Sequence, residues 1–380
     1  MHKILSGLVA VYLLTGYAPA LHVAEELGDW VYRRVSRWNG QVREQVLSVE
    51  YGGMNACLYA LYEVTGKEEY AVTAHVFDEE TLFDAILSEK KDVLRDKHAN
   101  TTIPKIIGAL KRYEVLHGRM IAGERVDASR YLAVAKVFFK TVVERHTYAT
   151  GGNSEWEHFG ADYVLDHERT NCNCETCNVY NMLKLARSLF CITGDRCYAD
   201  YYDNAFTNTI LSSQNPETGM TTYFQPMASG YFKCFSRPYD NFWCCTGSGM
   251  ENFTKLGEGV LYRGENGLYL ERYISADYCS EEIALSVESD FPLRDSAEIM
   301  VRSCKQPFTL FLRVPDWCAG EPALTKNGVL CKPAFADGHV RIEVKAGDRI
   351  SLQIPVNIML DTLPDGDAVA FRYGGALLSA

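Results

Sequence analysis

The chain has 380 residues, of which 47% are hydrophobic and 23% are charged. These proportions are typical of a globular protein and exclude disordered and fibrous architectures, and the length suits a large domain joined to a smaller one. The formal net charge is −11, and an acidic surface repels phosphate, so we expect no nucleic-acid partner. No run reaches the ~18 consecutive apolar residues of a membrane span, so we expect no membrane partner either.

The first twenty residues allow two interpretations. An apolar run over 4–14 followed by Ala18-Pro19-Ala20 resembles a signal peptide with its cleavage site. However, the run ends in a Thr-Gly pair with an aromatic residue four positions before Gly16, and the same ending recurs at Gly66 and Gly194. A glycine in that place is typical of the end of a helix, where it adopts a positive φ at little cost. We therefore predict a helix and no signal peptide.

The spacing of these helix ends indicates a repeat. Gly16 and Gly66 are 50 residues apart, and a weaker copy ends at Gly118, 52 residues further on. Helical hairpins at such a period are typical of a helical array or of an α/α-barrel, and we predict the barrel for residues 1–262. The extra length before the copy at Gly194 predicts a long loop over 147–173, and long loops in compact domains tend to carry function.

After about residue 264 the apolar residues alternate with a period of two. The clearest segments are 308–314, 340–344 and 350–354, and the last two are separated by Ala346-Gly347-Asp348, which is typical of a β-hairpin. We predict an antiparallel β-sandwich over 265–380. The fold class is therefore α+β and multidomain, with the α/α-barrel first and the sandwich second.

Thirteen cysteines are present. Small secreted domains with a disulfide framework have an even number of cysteines in a short chain, so an odd number in a long chain favours a reducing compartment. We predict a cytoplasmic protein in which some of the thiols bind metal or take part in chemistry.

Two short segments each offer two metal ligands. One lies at the start of a predicted helix and contains Glu175 and Cys177, and the other is the adjacent pair Cys244-Cys245 before a glycine-rich turn. Buried cysteines are commonly small hydrophobic residues, but an adjacent pair beside such a turn fits that interpretation poorly. Brought together, the segments offer a tetrahedral zinc site. The residues leave two ligand sets open, because either Cys174 or Glu175 can complete the other three.

The predicted loop carries a candidate acid. Glu157 lies beside Trp156 and close to Phe159, and partial desolvation by these rings would raise its pKa toward the range of a general acid. The alternative is a solvated loop glutamate, and Glu155 is the nearest other candidate acid.

Three further residues are candidate substrate contacts. His98 stands at the predicted start of a helix, and His146 and Tyr148 precede the Gly-Gly turn of the loop. A capping or packed ring is the alternative interpretation for each of them.

Three motifs together resemble the β-L-arabinofuranosidase group of glycoside hydrolases, families 127 and 146. They are Glu157-His158-Phe159, Glu175-Thr176-Cys177-Asn178 and Phe242-Trp243-Cys244-Cys245. The resemblance extends over nearly the whole chain and implies an α/α-barrel catalytic domain followed by β-sandwiches. It also implies a retaining enzyme that releases β-L-arabinofuranose from plant glycans or glycoproteins, so that an arabinofuranose-containing oligosaccharide would be its partner.

Carried over by motif, the resemblance assigns a role to each candidate. Cys244 would be the nucleophile, Glu157 the general acid/base, and His98 a contact to the sugar. The Zn²⁺ ligands that it implies are Glu175, Cys177, Cys244 and Cys245.

The chain departs from the group in three ways. Cys172 and Cys174 are additional, and the spacing from Glu157 to Glu175 differs a little between subgroups. The chain also looks short at both ends, because we count about eight or nine helices, whereas the closed barrel of the six-hairpin toroid type that the resemblance implies needs about twelve. We therefore expect an incomplete barrel. The alternative function is a non-catalytic helical zinc protein in which four thiolates hold the metal and the barrel binds sugar without cleaving it.

Overall fold

The computed structural model describes residues 1–49, 51–121, 124–332 and 334–378, and helices come first along this part of the chain. The sequence-based number of eight or nine helices is too low, because helices of eight residues such as α3 and α6 have only about two turns, too few for a pattern to repeat. The α-helices described are α1 (His2–Thr15), α2 (Ala18–Val35), α3 (Gly40–Leu47), α4 (Met54–Thr65), α5 (Glu68–Val76), α6 (Glu80–Leu87), α7 (Ala99–Leu116), α8 (Ser129–Arg145), α9 (Thr176–Thr193), α10 (Arg196–Ala205) and α11 (Cys244–Thr254).

The predicted helix ends are confirmed. Gly16, Gly66 and Gly194 follow α1, α4 and α9 with φ values of 69°, 71° and 69°. Each glycine N–H donates to the carbonyl of the aromatic residue four positions earlier, at 2.7–2.8 Å, so the shared pattern is a common way of ending a helix. Each of these helices then packs on the next one along the chain. None of the described helices is long and apolar enough to cross a membrane.

The long loop is also found where it was predicted. Between α8 and α9 the structure has only short bridges and one 3₁₀ turn, Asp166–Glu168. The non-glycine residues of this loop with a left-handed backbone are Ser154, Trp156, Glu157, Tyr163 and Cys174. Such conformations cost about 1–3 kcal/mol each and persist where the surrounding structure enforces them.

Strands begin with a short pair, β1 (Met120–Ile121) and β2 (Glu124–Arg125), and then occupy the chain after α11. Those after α11 are β3 (Leu261–Gly264), β4 (Gly267–Leu270), β5 (Ala276–Cys279), β6 (Ile283–Ser289), β7 (Ser296–Cys304), β8 (Phe308–Arg313), β9 (Ala323–Lys326), β10 (Val329–Cys331), β11 (Ala334–Ala336), β12 (His339–Val344), β13 (Arg349–Gln353), β14 (Ile358–Thr362), β15 (Val369–Tyr373) and β16 (Ala376–Leu378).

Two sheets pack face to face as a sandwich. Their orders are β10-β9-β13-β7-β6-β5 and β11-β12-β8-β4-β3, and one apolar core, which includes Leu310, Val340 and Ile350, joins them. The sandwich is antiparallel apart from the parallel pairing of β4 with β8. The strands β14, β15 and β16 form a separate three-stranded sheet. The predicted division between residues 262 and 265 falls within the β3–β4 hairpin, and residues 379 and 380 of the predicted sandwich lie outside the described residues.

The hairpin predicted around Ala346-Gly347-Asp348 is wrong. β12 pairs with β8 and β11 in one sheet, whereas β13 pairs with β7 and β9 in the other. The turn therefore crosses between the two layers, and Val344 and Ile350 on either side of it are both buried in the shared core. An alternating pattern identifies the buried face of a strand but not the strand beside it.

A buried group of charged residues joins the helices to the sandwich. Arg313, at the end of β8, is fully buried and donates to Asp200 and Asp203 of α10. Arg272 Nε lies 3.2 Å from Asp203 Oδ1, and elsewhere in the group Glu271 pairs with His339. We call these six residues the interface charge cluster: Asp200, Asp203, Glu271, Arg272, Arg313 and His339.

Candidate active site and metal centre

The N-terminal ends of three helices meet at one place. His98 is the N-cap residue of α7, Glu175 is the N-cap residue of α9, and Cys244 is the first residue of α11. α9 packs against both α7 and α11. The unpaired N–H groups at a helix N-terminus carry a partial positive charge, so this arrangement favours negatively charged side chains.

Four of the predicted ligands come together here. Glu175 Oε1 lies 3.8 Å from Cys244 Sγ and 3.7 Å from Cys245 Sγ, and Cys177 Sγ lies 3.4 Å from Cys245 Sγ. All four ligand atoms are within 4.8 Å of one another. Around a tetrahedral zinc ion, sulfur and oxygen ligands are roughly 3.6–3.8 Å apart, so the donor atoms have the spacing that such an ion requires. We call these four residues the ligand cluster.

The charges of the ligand cluster also fit a cation. Glu175 is fully buried, and its Oε2 atom has no hydrogen-bond partner among the described residues. Burial, followed by the charges of Cys244 and Glu157, raises the pKa of Glu175 to about 8. Contacts with Cys177 and Cys245 lower the pKa of Cys244, whereas burial raises the pKa of Cys245. The cluster therefore cannot ionise completely by itself, and a bound cation would let all four groups carry their charge.

Neutral side chains orient the ligands. Asn100 donates to Glu175 Oε1 at 3.1 Å, and Asn181 donates to Asn100 Oδ1 at 2.9 Å. Ser248 Oγ lies 3.1 Å from Cys177 Sγ. Sequence reasoning missed these roles, although Asn100 follows His98 in the first turn of α7 and Asn181 lies one turn after Cys177.

Cys174 does not belong to the ligand cluster. Its backbone is left-handed, with φ of 53°, and its side chain packs against Tyr148 and Leu165. A Cβ atom on Gly152 would lie 2.6 Å from Cys174 Sγ, so this glycine makes room for the thiol. Burial raises the pKa of Cys174 to about 12, which keeps it a thiol. Of the two ligand sets left open by the sequence, the structure assembles the one with Glu175.

Glu157 is held at both carboxylate oxygens. Oε2 lies 3.0 Å from His98 Nε2, and the Tyr223 hydroxyl donates to Oε1. Thr101 N–H donates to His98 Nδ1 at 3.2 Å, so Nε2 carries the ring proton and donates it to Glu157. The Glu157 carbonyl accepts from the Ala99 N–H at 2.8 Å, which fixes the loop to the start of α7.

Tyr223 connects the candidate acid to the candidate nucleophile. Its hydroxyl lies 3.7 Å from Cys244 Sγ and also donates to Glu157. The Cys244 sulfur and the nearer Glu157 oxygen are therefore at most roughly 6 Å apart, which is shorter than the ~6.5–9.5 Å between the carboxyl groups of an inverting glycosidase and compatible with a retaining one. No sequence motif singled out Tyr223, because its part in the site depends on a contact across the fold.

The surroundings of Glu157 differ from those expected. Trp156 is 61% exposed and Phe159 is buried in the helical core, so the two rings do not enclose the carboxylate, which His98 and Tyr223 contact instead. Glu155 Oε1 accepts from Thr170 Oγ1 at 3.1 Å, so this alternative acid is engaged within the loop.

His146 and Tyr148 have other partners. His146 is buried with its Nε2 atom 3.2 Å from Asp162 Oδ1, and Tyr148 donates to the Leu165 carbonyl at 3.1 Å. Both side chains thus help to hold the loop together. Their predicted contact with substrate stays a prediction.

Comparisons with known proteins agree with the helical domain and the sandwich. Residues 1–258 match the family model of the beta-L-arabinofuranosidase GH127 catalytic domain, and residues 267–356 match that of the GH127 middle domain. The chain belongs to the GH127 beta-L-arabinofuranosidase family, and the resemblance drawn from the motifs is confirmed.

Individual relatives are distant. The chain is 21% identical to a non-reducing end beta-L-arabinofuranosidase of Bifidobacterium longum subsp. longum over 94% of this chain and 60% of the relative. Among solved structures, a GH127 beta-arabinofuranosidase is 21% identical with a TM-score of 0.79, covering 99% of this chain and 63% of its own. A GH127 beta-L-arabinofuranosidase from Geobacillus stearothermophilus T6 is 18% identical with a TM-score of 0.75, covering 99% and 65%.

These similarities confirm the predicted fold class, an α/α helical domain followed by a β-sandwich. The chain spans about three fifths of the length of these relatives.

Proposed function

We propose that this chain carries the catalytic centre of a zinc-dependent retaining glycosidase that releases β-L-arabinofuranose from plant glycans or glycoproteins. The observation that carries the proposal is the pairing of Cys244 with Glu157 through Tyr223, at a separation that suits a retaining mechanism. The names of the relatives support the sugar and an arabinofuranose-containing oligosaccharide as the partner.

The Zn²⁺ ion would be held by Glu175, Cys177, Cys244 and Cys245, and when bound it keeps the thiols ionised and the two segments together. Cys244 begins the reaction, because it is the exposed member of the ligand cluster. Its sulfur attacks the anomeric carbon, and the bond from that carbon to the leaving oxygen breaks while Glu157 gives that oxygen a proton.

In the second step Glu157 takes a proton from water. The water oxygen bonds to the anomeric carbon, and the carbon–sulfur bond breaks, which returns Cys244 to its thiolate form. Two displacements at one carbon restore its configuration. Tyr223 and His98 hold the Glu157 carboxyl beside the reacting atoms in both steps, and His98 also contacts the sugar.

The test of this proposal is Glu157→Gln, which changes no metal ligand. We expect unchanged zinc content and a loss of roughly 10²–10⁴-fold in rate on arabinofuranosides with poor leaving groups. The loss in the first step is smaller on activated aryl glycosides, which leave without protonation, and azide restores part of the turnover. Glu155→Gln is the matched control, because that carboxylate is engaged with Thr170.

Turnover by Glu157→Gln at the wild-type rate on every substrate would remove Glu157 from the mechanism. The alternative function, a non-catalytic zinc protein, predicts one zinc per chain and sugar binding with no hydrolysis of a chromogenic arabinofuranoside. A longer form of the protein is assayed alongside. Hydrolysis by the longer form alone would mean that the site needs further residues, whereas no hydrolysis by either form would mean that the site is not catalytic.

We also propose a cytoplasmic location. All thirteen cysteines are free of disulfide bonds, which is compatible with a reducing compartment. N-terminal sequencing of the natural protein gives the answer directly, since a start at Leu21 would mean that a signal peptide is removed.

A further inference from the structure

The turn between β14 and β15 reaches back to the loop that carries Glu157. The sheet of β14, β15 and β16 follows the segment matched by the GH127 middle domain, which ends at residue 356. Its turn contains Asp365 and Gly366, and a Cβ atom on Gly366 would lie 1.9 Å from Asp166 Oδ2. The turn is therefore pressed against the 3₁₀ turn of the loop.

Asp365 satisfies three consecutive backbone donors of that loop. Its Oδ1 atom accepts from the N–H groups of Leu165 at 2.9 Å and Asp166 at 2.7 Å, and its Oδ2 atom accepts from the N–H of His167 at 3.1 Å. The N–H groups at the start of a helical turn otherwise have no partner within it. Burial raises the pKa of Asp365, but these donors and the His167 ring outweigh it and hold the pKa well below its usual range.

An apolar contact adds to these hydrogen bonds. Leu363, in the same turn, packs against the buried cluster of Tyr148, Leu165 and Cys174. The turn therefore contacts both the backbone and the side chains of the loop.

Hydrogen bonds connect residues 165–168 to the part of the loop that carries Glu157. Asn173 Nδ2 lies 2.9 Å from the Glu168 carbonyl and 3.3 Å from the Ser154 carbonyl, so one side chain joins the 3₁₀ turn to the strand-like segment before Glu157. Trp156 N–H donates to the Cys172 carbonyl at 3.0 Å, which pairs the two arms of the loop. A displacement at residues 165–168 is thereby passed to the backbone of Glu157.

We propose that Asp365 is a positioning residue for Glu157, supplied by the sheet that follows the sandwich. The proposal rests on the proposed function, because it treats Glu157 as the acid/base. It predicts that loss of the Asp365 carboxylate impairs protonation of the leaving group more than the attack of Cys244.

The kinetic test is Asp365→Asn, which keeps the shape of the side chain. We expect kcat/KM to fall by about 10–100-fold on a disaccharide with a poor leaving group, the range for a misplaced catalytic group, and by only a few-fold on an activated aryl glycoside, with zinc content unchanged. Asp367→Asn, on the exposed side of the same turn, is the matched control and should match wild type. An equal fall on both substrates would mean a general loss of folded enzyme and would overturn the proposal, as would no fall at all.

A second measurement does not depend on activity. Hydrogen exchange followed by mass spectrometry should be faster in Asp365→Asn at residues 165–167 and also at 154–158. Faster exchange at residues 165–167 alone would mean that Asp365 stabilises only the residues that it contacts, and the positioning role would be wrong. If the wild-type chain hydrolyses neither substrate, the proposed function fails, while hydrogen exchange still decides whether Asp365 holds the segment of Glu157.

Discussion

The protein contains two clusters of ionisable, largely buried residues that are built in opposite ways. In the interface charge cluster, two arginines and one histidine face three carboxylates. The His339 ring nitrogens lie 3.0 Å from the Asp337 carbonyl and 2.7 Å from Glu271. The ligand cluster instead combines one carboxylate with three thiols.

The difference lies in where the compensating charge comes from. Asp200 and Asp203 receive theirs from Arg313 within the same chain. Glu175 instead accepts from the neutral Asn100 amide, and Cys177 contacts the neutral Ser248 hydroxyl. A buried cluster with its own counterions serves to join domains, whereas one without them is suited to receive a cation from solution.

The largest expected effect comes from breaking the ligand cluster at its exposed thiol. Cys244→Ser should lower turnover by more than about 10⁴-fold, the range seen when a catalytic nucleophile is removed, because a serine hydroxyl is not ionised at neutral pH. The assay is hydrolysis of an aryl arabinofuranoside, with zinc content measured on the same sample. Cys191→Ser, an exposed cysteine of α9, should retain full activity. Turnover by Cys244→Ser would assign the nucleophile elsewhere.

Removing the metal should weaken the same region without touching the interface. We expect about one zinc per chain. A strong chelator should lower the thermal unfolding temperature, because the four ligand groups then lose the cation that balances their charges and links the two segments. Re-addition of Zn²⁺ should restore the original value. A chain purified without metal that is equally stable would contradict this prediction.

The interface charge cluster is tested by Arg313→Met. Loss of this fully buried guanidinium leaves Asp200 and Asp203 without their main partner and should cost about 3–5 kcal/mol of unfolding free energy. Arg302→Met is the matched control, since Arg302 pairs with Asp277 on the exposed face of the sandwich and should cost at most about 1 kcal/mol. Both values come from urea unfolding followed by fluorescence. Equal costs would mean that the buried cluster does not hold the domains together.

The smallest effect concerns a single carboxylate inside the sandwich. Burial raises the pKa of Asp348, but hydrogen bonds from Asn327, Lys326 and the Lys345 N–H outweigh it and hold the pKa at about 2. Because the folded pKa lies below the unfolded value of ~3.9, the stabilisation is complete above that value and is lost as the pH falls toward the folded pKa. Asp348→Asn should therefore cost about 1–2 kcal/mol at pH 7.

The difference in unfolding free energy between Asp348→Asn and wild type should become smaller as the pH drops below ~4, because the wild-type carboxyl then becomes protonated. Urea unfolding at a series of pH values measures this difference. A difference that stays constant over this range would mean that the carboxylate charge contributes nothing to stability.

Local features of the sequence were sufficient for the helix ends and for the ligand segments. Gly66 and Gly194 end helices through interactions within five residues, and the ligands Glu175 and Cys177 are two residues apart on one helix start. Relations across the fold could not be found in the same way. Tyr223 contacts Cys244 from 21 positions away, and Asp365 contacts Leu165 from 200 positions away, and neither spacing follows from a local pattern.

The same limit explains the wrong pairing of β12 and β13. Val344 and Ile350 each identify the buried side of their strand, and both do face the core. Which neighbour each strand chooses depends on hydrogen bonds to β8 and β7, which lie far away in the chain.

The closeness of two sulfur atoms has a consequence for the handling of the protein. Cys177 Sγ and Cys245 Sγ are only 3.4 Å apart, so an oxidant can join them in a disulfide with little movement when no metal is bound. The exposed Cys244 is open to peroxide and to alkylating agents. On the zinc site proposed above, we expect loss of the metal to shorten the time for which the thiols stay reduced in air. The thiols of samples stored with a chelator should oxidise quickly unless a reducing agent is present.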